Sequence, residues 1–158
     1  MDFISPTKGK LSFQETYSEI VSYFNEKPEE KYKLIIGTDS QFHFPNDVCF
    51  VTAIIIHRVG KGARYFFSRR HQKFMENLRQ RIYYETYLSL EVATMVAAKL
   101  ADDEDINLNV EIHLDVGKNG ETKEMIREVV GMVIGSGFQA FIKPDSYGAT
   151  KVADKYTK

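Results

Sequence analysis

The 158 residues, 43% hydrophobic and 27% charged, are typical of one globular domain with a proper core, so we assign residues 1–158 to a single domain. The formal net charge of -1 gives no indication of partners. The chain lacks an apolar run of the ~18 residues that a membrane span needs, and its N-terminus lacks the pattern of an export signal. We therefore expect a cytoplasmic protein without membrane contacts. The single cysteine, Cys49, excludes a disulfide framework within one chain.

The chain begins with a predicted amphipathic helix. Ser12 and Glu15 have the spacing of a capping box, in which each side chain bonds a free backbone amide at the helix start. Apolar residues then recur at helical spacing as far as Phe24. We predict that residues 1–31 form a helical extension packed on the domain.

Three antiparallel strands are predicted next. The first is an apolar segment that ends at Asp39, the second covers residues 48–57, and the third covers residues 63–70. The second strand is nearly all apolar, which favours burial on both faces. Turn-forming residues between the strands predict tight connections.

The second half of the chain alternates helices and strands. Period-3.6 patterning predicts a long helix over residues 73–100, and later segments predict a strand ending at Asp115, a helix over 121–134, a strand over 138–142 and a last helix from 149. This order predicts an α/β fold: a mixed five-stranded sheet, with three antiparallel strands and two added through helical crossovers, and helices on both faces.

Two of the predicted strands end in a carboxylate. Asp39 ends the first strand and Asp115 the fourth. A carboxylate at the end of a core strand costs free energy unless it contacts an opposite charge or water. Each acid alone is more often a turn cap or a surface ion-pair partner, but two at one edge of a sheet would make a metal or phosphate site.

This order of elements and acids resembles the ribonuclease H-like fold, from about residue 33 onward. The strings IGTDSQ, HLDVGKNGETKEMI and KPDSYGATKVADKYT look like an uncharacterised bacterial family with this fold. The resemblance implies that Asp39 and Asp115 are the first and third of four catalytic, metal-binding acids.

The resemblance places the second acid on the long helix and the fourth on the last helix. Glu91 is preferred to Glu85 as the second acid, because it lies among apolar residues and LEVATMVAAKL looks like the family's helix. Asp154, in VADKY, matches the fourth acid, and Asp145 is its runner-up.

The implied activity is a metal-dependent nuclease that cleaves RNA, DNA or an RNA/DNA hybrid. Two Mg²⁺ or Mn²⁺ ions about 3.5–4 Å apart would activate the attacking water and stabilise the leaving oxygen. Such ions prefer oxygen ligands. Asp39 would bridge both ions, with Glu91 and Asp115 on one and Asp154 on the other.

Candidate substrate contacts surround these acids. The run 117–120 precedes a helix and is suited to binding phosphate through backbone amides, although a simple turn is an equal alternative. Residues 58–81 contain eight cations and one acid, with aromatics among them, which favours nucleic acid as the partner. The candidates are Ser40, Lys118, Asn119, Lys143, Ser146, Arg69 and Arg70.

Two other functions stay open on the sequence. A non-catalytic nucleic-acid-binding or regulatory module with the same fold is the main alternative. A phosphotransferase of the actin-like group is weaker, because that group needs two such domains and this chain has length for one. An exposed edge strand of the three-stranded meander offers a route to a homodimer.

Overall fold

The computed structural model describes residues 1–158, apart from the side chain of Tyr147. Seven strands form one sheet, in the spatial order β2-β1-β5-β4-β3-β6-β7. The prediction of a mixed α/β sheet is confirmed, but the sheet has seven strands where five were predicted. The strands are β1 (Asp2–Ser5), β2 (Gly9–Ser12), β3 (Tyr32–His43), β4 (Asp47–Arg58), β5 (Gly62–Lys73), β6 (Val110–His113) and β7 (Gln139–Phe141).

Helices connect the later strands and follow the last one. A 3₁₀ turn at Lys123–Met125 leads into the third helix. None of the helices among the described residues has the length and apolarity that crossing a membrane requires. The helices are α1 (Phe13–Glu26), α2 (Leu78–Ala101), α3 (Ile126–Gly135) and α4 (Tyr147–Thr157).

The three long strands form the predicted meander. β4 pairs antiparallel with both β3 and β5 along its whole length. β6 then adds to β3, and β7 to β6, in parallel. The crossover through α2 therefore places the strand that precedes Asp115 beside the strand that carries Asp39.

The N-terminal segment differs from its prediction. Before α1, the strands β1 and β2 form an antiparallel hairpin, so residues 1–31 are not a purely helical extension. The capping box is present, since the Ser12 side chain accepts from the Glu15 amide and the Glu15 side chain from the Ser12 amide. β1 also pairs with β5 at Ile4 and Phe67, and this pairing partly covers the meander edge proposed for a dimer.

The core lies on both faces of the sheet, because side chains alternate along each strand. Leu34 and Ile36 point to the face that α1, α2 and α3 cover. Ile35 points to the other face, where it packs with Ala149 of α4. The prediction of helices on both faces is confirmed.

The pairing of β3 with β6 stops where the acids begin. Its last partners are Gly37 and His113, and β3 then runs on to His43 beside β4 alone. The prediction that the first strand ends at Asp39 is therefore wrong, since four more residues follow in the strand. Beyond the last β6 partner this side of β3 lies open, and that opening exposes the carboxylate of Asp39.

Candidate active site

Three carboxylates from three elements meet at the opening between β3 and β6. Asp39, Glu85 and Asp115 each offer one oxygen, and these three oxygens lie within 4.8 Å of one another. Glu85 is buried, whereas Asp39 and Asp115 are half-buried. The expectation that Asp39 and Asp115 lie at one edge of the sheet agrees with this geometry.

Each acid is brought there by a different part of the fold. Asp39 lies on β3, two residues past its last pairing with β6, and faces α4. Asp115 follows the end of β6 by two residues. Glu85 comes from α2, on the opposite face of the sheet. The three can meet because the strand gap lets side chains from both faces reach the same space.

A chain of hydrogen bonds fixes Glu85. The Ser40 hydroxyl donates to Glu85 Oε2. Arg81 in turn donates from Nε to Ser40 Oγ at 3.0 Å and from Nη2 to the Ser40 carbonyl at 2.9 Å. Ser40 therefore positions the acid, and Arg81 positions Ser40.

The preference for Glu91 over Glu85 is not supported by the geometry. Glu91 lies six positions further along α2, and at about 100° per residue this turns its side chain well away from the site. Its carboxylate pairs with Arg70 Nη2 at 3.4 Å. Glu85, the runner-up in the sequence prediction, is the helix acid beside Asp39.

The last helix supplies a fourth carboxylate. Asp154, on α4, lies beside Asp39 and lines the same cleft. It is exposed to solvent, and Lys158 Nζ lies 3.9 Å from its carboxylate. Asp145 is exposed in the loop before α4 and is not among the residues that line the cleft.

Burial and crowding favour the protonated form of two of these acids. Burial, the charge of Asp115 and hydrogen bonding to Asp115 and Asp154 together raise the pKa of Asp39 to about 8, and burial is the largest of these causes. Burial also raises the pKa of Glu85 well above its usual value, against the opposing effect of the Ser40 hydroxyl. The free carboxylates therefore repel one another, and a cation is needed to hold them all ionised.

The donor set fits a hard divalent cation. The converging atoms are all carboxylate oxygens from well-separated parts of the chain, which suits Mg²⁺ or Mn²⁺ better than softer metals. Asp39, Glu85 and Asp115 would hold such an ion, and Asp154 lies beside Asp39 to assist. No histidine or cysteine belongs to this cluster among the described residues.

One lysine enters the site from the opposite wall. Lys143 follows β7, and its Nζ lies 2.7 Å from Asp115 Oδ1. The hydrogen bond to Asp115 raises the pKa of Lys143, so its side chain stays an ammonium. The sequence predicted Lys143 as a substrate contact, without its ion pair to a site acid.

The acids lie in a cleft of about 860 Å³, bounded by α2, the loop after β6 and α4. Four of the predicted substrate contacts line it: Ser40, Asn119, Lys143 and Ser146. Ser146 is fully buried, and its hydroxyl has no hydrogen-bond partner among the described residues. Two more cations line the cleft: Lys151, which the sequence prediction did not name, and Arg81, which it named only as part of the cation-rich stretch 58–81.

The other predicted substrate contacts lie elsewhere. Arg69 donates to the Tyr156 carbonyl at 3.0 Å, and Arg70 contacts Tyr84 and Glu91. Lys118 is exposed and is not among the lining residues. The amide of Gly117 donates to Thr122 Oγ1 at 3.1 Å, so it is not free to bind phosphate.

The cation-rich stretch 58–81 is largely engaged within the protein. Besides Arg70, three of its cations pair with carboxylates of other elements: Arg58 with Glu26, Lys61 with Glu30 and Arg79 with Glu128. Within this stretch and among the described residues, Arg81 is the cation that lines the cleft. The stretch therefore supports nucleic-acid binding less strongly than its composition indicated.

Comparison with known proteins identifies the family. The model of the ribonuclease H-like family matches residues 15–158, and the chain belongs to this family. It is also 34% identical over 168 aligned positions to "Uncharacterized protein YkuK" of Bacillus subtilis (strain 168), covering 99% of this chain and 96% of that protein. No solved structure gives a significant match. The resemblance read from the sequence is thereby confirmed.

Metal binding at these acids predicts a measurable stabilisation. An ion that binds only the folded protein adds about 2.7 kcal/mol to the free energy of unfolding when its free concentration is about 100 times its Kd. For a domain of this length we expect the thermal midpoint to rise by roughly 5–11 °C in Mg²⁺ or Mn²⁺. Differential scanning fluorimetry at constant ionic strength, with Na⁺ as the control, measures this shift. An equal midpoint in Na⁺ and in both divalent ions would contradict the metal site.

Proposed function

We propose that this protein is a divalent-metal-dependent nuclease that hydrolyses phosphodiester bonds of RNA, DNA or RNA/DNA hybrids. The supporting observation is the meeting of Asp39, Glu85 and Asp115 within 4.8 Å, in a ribonuclease H-like chain. A bound Mg²⁺ or Mn²⁺ would supply a water that is readily deprotonated and would stabilise charge on the phosphoryl oxygens. The sequence-based expectation of two ions is part of this proposal.

The chain's own residues would prepare the site for the ion and the phosphate. Asp39 lies within β3 just past its pairing with β6, and Asp115 lies two residues after the end of β6, so their positions depend on the rigid sheet. Ser40 and Arg81 hold the Glu85 carboxylate in one orientation. Because these groups are fixed before substrate arrives, little reorganisation is needed during the reaction.

The cleft lining suits a polyanion. Arg81, Lys143 and Lys151 line it together with the acids, and Asn119 adds an uncharged hydrogen-bonding group. Cations beside the acids can bind the phosphates that flank the cleaved bond, since phosphate contacts supply most of the non-specific affinity for nucleic acids. The proposed partner is therefore a nucleic-acid strand that crosses the cleft. A cytoplasmic location and a homodimer stay predictions.

A matched pair of variants on α2 tests the proposal. In Glu85→Gln the buried acid loses its charge, and we expect hydrolysis to fall by about 100-fold or more, since a metal ligand contributes several kcal/mol. In Glu91→Gln a half-buried ion pair away from the cluster is lost, and we expect a rate within about twofold of the wild type. The measurement is cleavage of labelled single-stranded RNA, single-stranded DNA and hybrid oligonucleotides in Mn²⁺.

The same experiment separates the proposal from its main alternative. If Glu85→Gln and Glu91→Gln cleave the oligonucleotides at the same rate, the activity does not come from this site. If the wild-type protein binds the oligonucleotides in Mn²⁺ but cleaves none of them, the non-catalytic binding module becomes the better account.

A further inference from the structure

Two phenylalanines are exposed at one tip of the three-stranded meander. Phe44 is 89% exposed and Phe74 is 72% exposed, the highest values among the large apolar side chains that the structure describes. Phe44 lies in the turn between β3 and β4, and Phe74 directly follows β5. The Phe74 amide donates to the Asn46 carbonyl at 2.8 Å, which joins the two segments. The tip therefore leaves two aromatic rings in water.

Phe74 also has an unfavourable backbone conformation. Its φ of 60° lies in the left-handed region, which glycine and asparagine adopt more readily than an aromatic residue. The chain must turn here, because Lys73 still pairs in β5 while Met75 already packs against the core. The exposed ring of Phe74 gives little packing in return for this strain. Strained backbone of this kind is concentrated at active sites and ligand-binding sites.

The tip continues the strand that carries Asp39. Phe44 comes five positions after Asp39, which is about 17 Å at the rise of a β-strand. The end of α4 holds this part of β3 in place: the His43 ring donates from Nε2 to the Thr157 carbonyl at 3.0 Å, and the Thr157 hydroxyl donates to Gln41 Oε1 at 3.3 Å. A nucleic-acid strand that leaves the cleft along the open side of β3 would therefore meet Phe44 at a fixed distance from the acids.

The charges along this route suit a phosphate backbone. Arg81 lines the cleft and bonds Ser40 through two of its five N–H groups, which leaves three without a partner among the described residues. Lys73, next to Phe74, is exposed. Asp47, an acid at the tip, accepts from His71 Nδ1 at 2.8 Å. Exposed aromatic rings together with cations are the combination that binds single-stranded nucleic acids, since bases stack on the rings while cations contact the phosphates.

We propose that Phe44 and Phe74 form a stacking platform for unpaired bases, so that the substrate has a single-stranded segment beside the cleaved bond. This inference rests on the proposed nuclease function and narrows its substrate class. In a duplex the faces of the bases are covered by their neighbours, whereas an unpaired base can lie flat on a phenyl ring. Every base has such a face, so the platform selects the form of the strand and not its sequence.

Substitutions at the platform should weaken binding without slowing the reaction. In the double variant Phe44→Ser with Phe74→Asn, we expect the Kd for a labelled single-stranded oligonucleotide to rise by about tenfold or more. Its maximal cleavage rate in Mn²⁺ should stay within about threefold of the wild type. Fluorescence anisotropy measures binding, with Glu85→Gln added to both proteins so that the oligonucleotide is not consumed.

Two controls separate stacking from a general loss of apolar surface. The double variant Phe44→Tyr with Phe74→Tyr keeps both rings and should bind within about twofold of the wild type. Ile134→Ser removes a side chain that is 60% exposed on α3, and it should leave binding unchanged.

The stability of Phe74→Asn gives an independent readout. Asparagine adopts a positive φ more readily than phenylalanine, so the thermal midpoint of this variant should rise although its affinity falls. A residue that only supports the fold would show the opposite change in stability. A lower midpoint for Phe74→Asn would mean that the ring packs on the protein, and it would overturn the platform.

An abasic oligonucleotide tests whether the rings hold bases. Removing the bases on one side of the cleaved bond keeps the phosphates, so it should weaken binding to the wild-type protein by about tenfold or more. The same removal should change binding to the Phe44→Ser, Phe74→Asn protein by no more than about twofold. A fully paired duplex should bind these two proteins equally.

Three results would overturn the platform and leave the nuclease function standing. They are equal affinity of the wild type and the double variant for the intact single strand, an equal effect of base removal on both proteins, and dissociation of a dimer by the double substitution with oligonucleotide affinity unchanged. The last result would make the tip a contact between two copies of the chain. A wild-type protein that neither binds nor cleaves any oligonucleotide would overturn the proposed function and this inference with it.

Discussion

The Asp39→Asn protein should lose hydrolysis almost completely, by about 10³-fold or more in turnover. Asp39 is central to the site, since it shares the cluster with Glu85 and Asp115 and also lies beside Asp154. The amide keeps the size of the carboxylate and removes its charge, so an ion loses its central ligand. A loss of several kcal/mol in transition-state stabilisation corresponds to this fall in rate.

The same substitution should stabilise the metal-free protein at alkaline pH. Burial raises the pKa of Asp39 to about 8, so folding favours the protonated acid. The stability contributed by that proton is fully present below the ordinary pKa of an aspartate, and it is lost as the pH rises through about 8. The wild-type thermal midpoint should therefore fall from about pH 4 until it levels off near pH 9. The midpoint of Asp39→Asn should fall less steeply, because only the buried Glu85 then still loses the stability that its proton contributes.

The expected difference is modest because Asp39 is partly open to solvent. One unit of pKa shift corresponds to about 1.4 kcal/mol, and solvent screening leaves only part of that value. At pH 9 we expect the free energy of unfolding of Asp39→Asn to exceed that of the wild type by about 1–2 kcal/mol. This difference corresponds to a thermal midpoint that is higher by roughly 2–8 °C. Thermal unfolding in a chelator across this pH range measures it. Parallel pH profiles for the two proteins would contradict the placement of Asp39 beside two other acids.

In Mn²⁺ the wild-type protein should have a higher thermal midpoint than Asp39→Asn, the reverse of the order expected without metal. With an ion bound, the wild-type acids are neutralised, and the midpoint should rise with pH instead of falling. Asp39→Asn should respond weakly to Mn²⁺ at every pH. The combination of lost hydrolysis, higher metal-free stability and weak metal response distinguishes a metal ligand from a residue that only supports the fold.

The proximity of Asp39 and Asp115 could be predicted from the sequence, because parallel neighbouring strands bring the residues that follow them to the same edge of the sheet. The apolar segments before Asp39 and Asp115 identify buried strands, and the helical crossover between them makes those strands parallel neighbours. Their acids must then lie near one another at the same edge. The end of the first strand was harder to place, because β3 continues to His43 with a mixture of polar and aromatic residues.

The helix acid could not be chosen from the sequence pattern. α2 buries residues on much of its circumference against the sheet and α3, so apolar neighbours surround both Glu85 and Glu91. The two acids are distinguished by the side chains that contact them in the folded protein. Glu91 has an arginine to pair with on β5, whereas Glu85 is buried beside Ser40 without a direct ion pair among the described residues. Both pairings depend on tertiary contacts.

The N-terminal hairpin was missed for a different reason. β1 and β2 have four residues each, too few for a period-two pattern to stand out. Phe3 and Leu11 are the apolar residues that the hairpin buries, and they lie either side of a turn-forming Pro-Thr-Lys-Gly run. That run indicates a reversal of the chain, but pairing with β5 is what makes the hairpin part of the sheet.

Gly37→Ala should be the most destabilising single-methyl change near the site. A Cβ at position 37 would lie 2.8 Å from Ala149 Cβ on α4 and 3.2 Å from the His113 carbonyl oxygen on β6. Neither atom can rotate away, so the helix must move outward from the sheet. Such overpacking costs about 2–3 kcal/mol. We expect the thermal midpoint to fall by roughly 4–12 °C.

The displacement should also reduce activity, because α4 carries Asp154 as well as Ala149. A shift of about 1 Å in a catalytic group can lower the rate 100-fold. Gly131→Ala is the control, since a Cβ there meets nothing within 4 Å and the residue lies inside α3. That variant should keep its activity and gain up to about 1 kcal/mol from helix propensity. An unchanged midpoint and rate for Gly37→Ala would mean that α4 does not pack this closely on β3, and the fourth acid would then lose its assigned position.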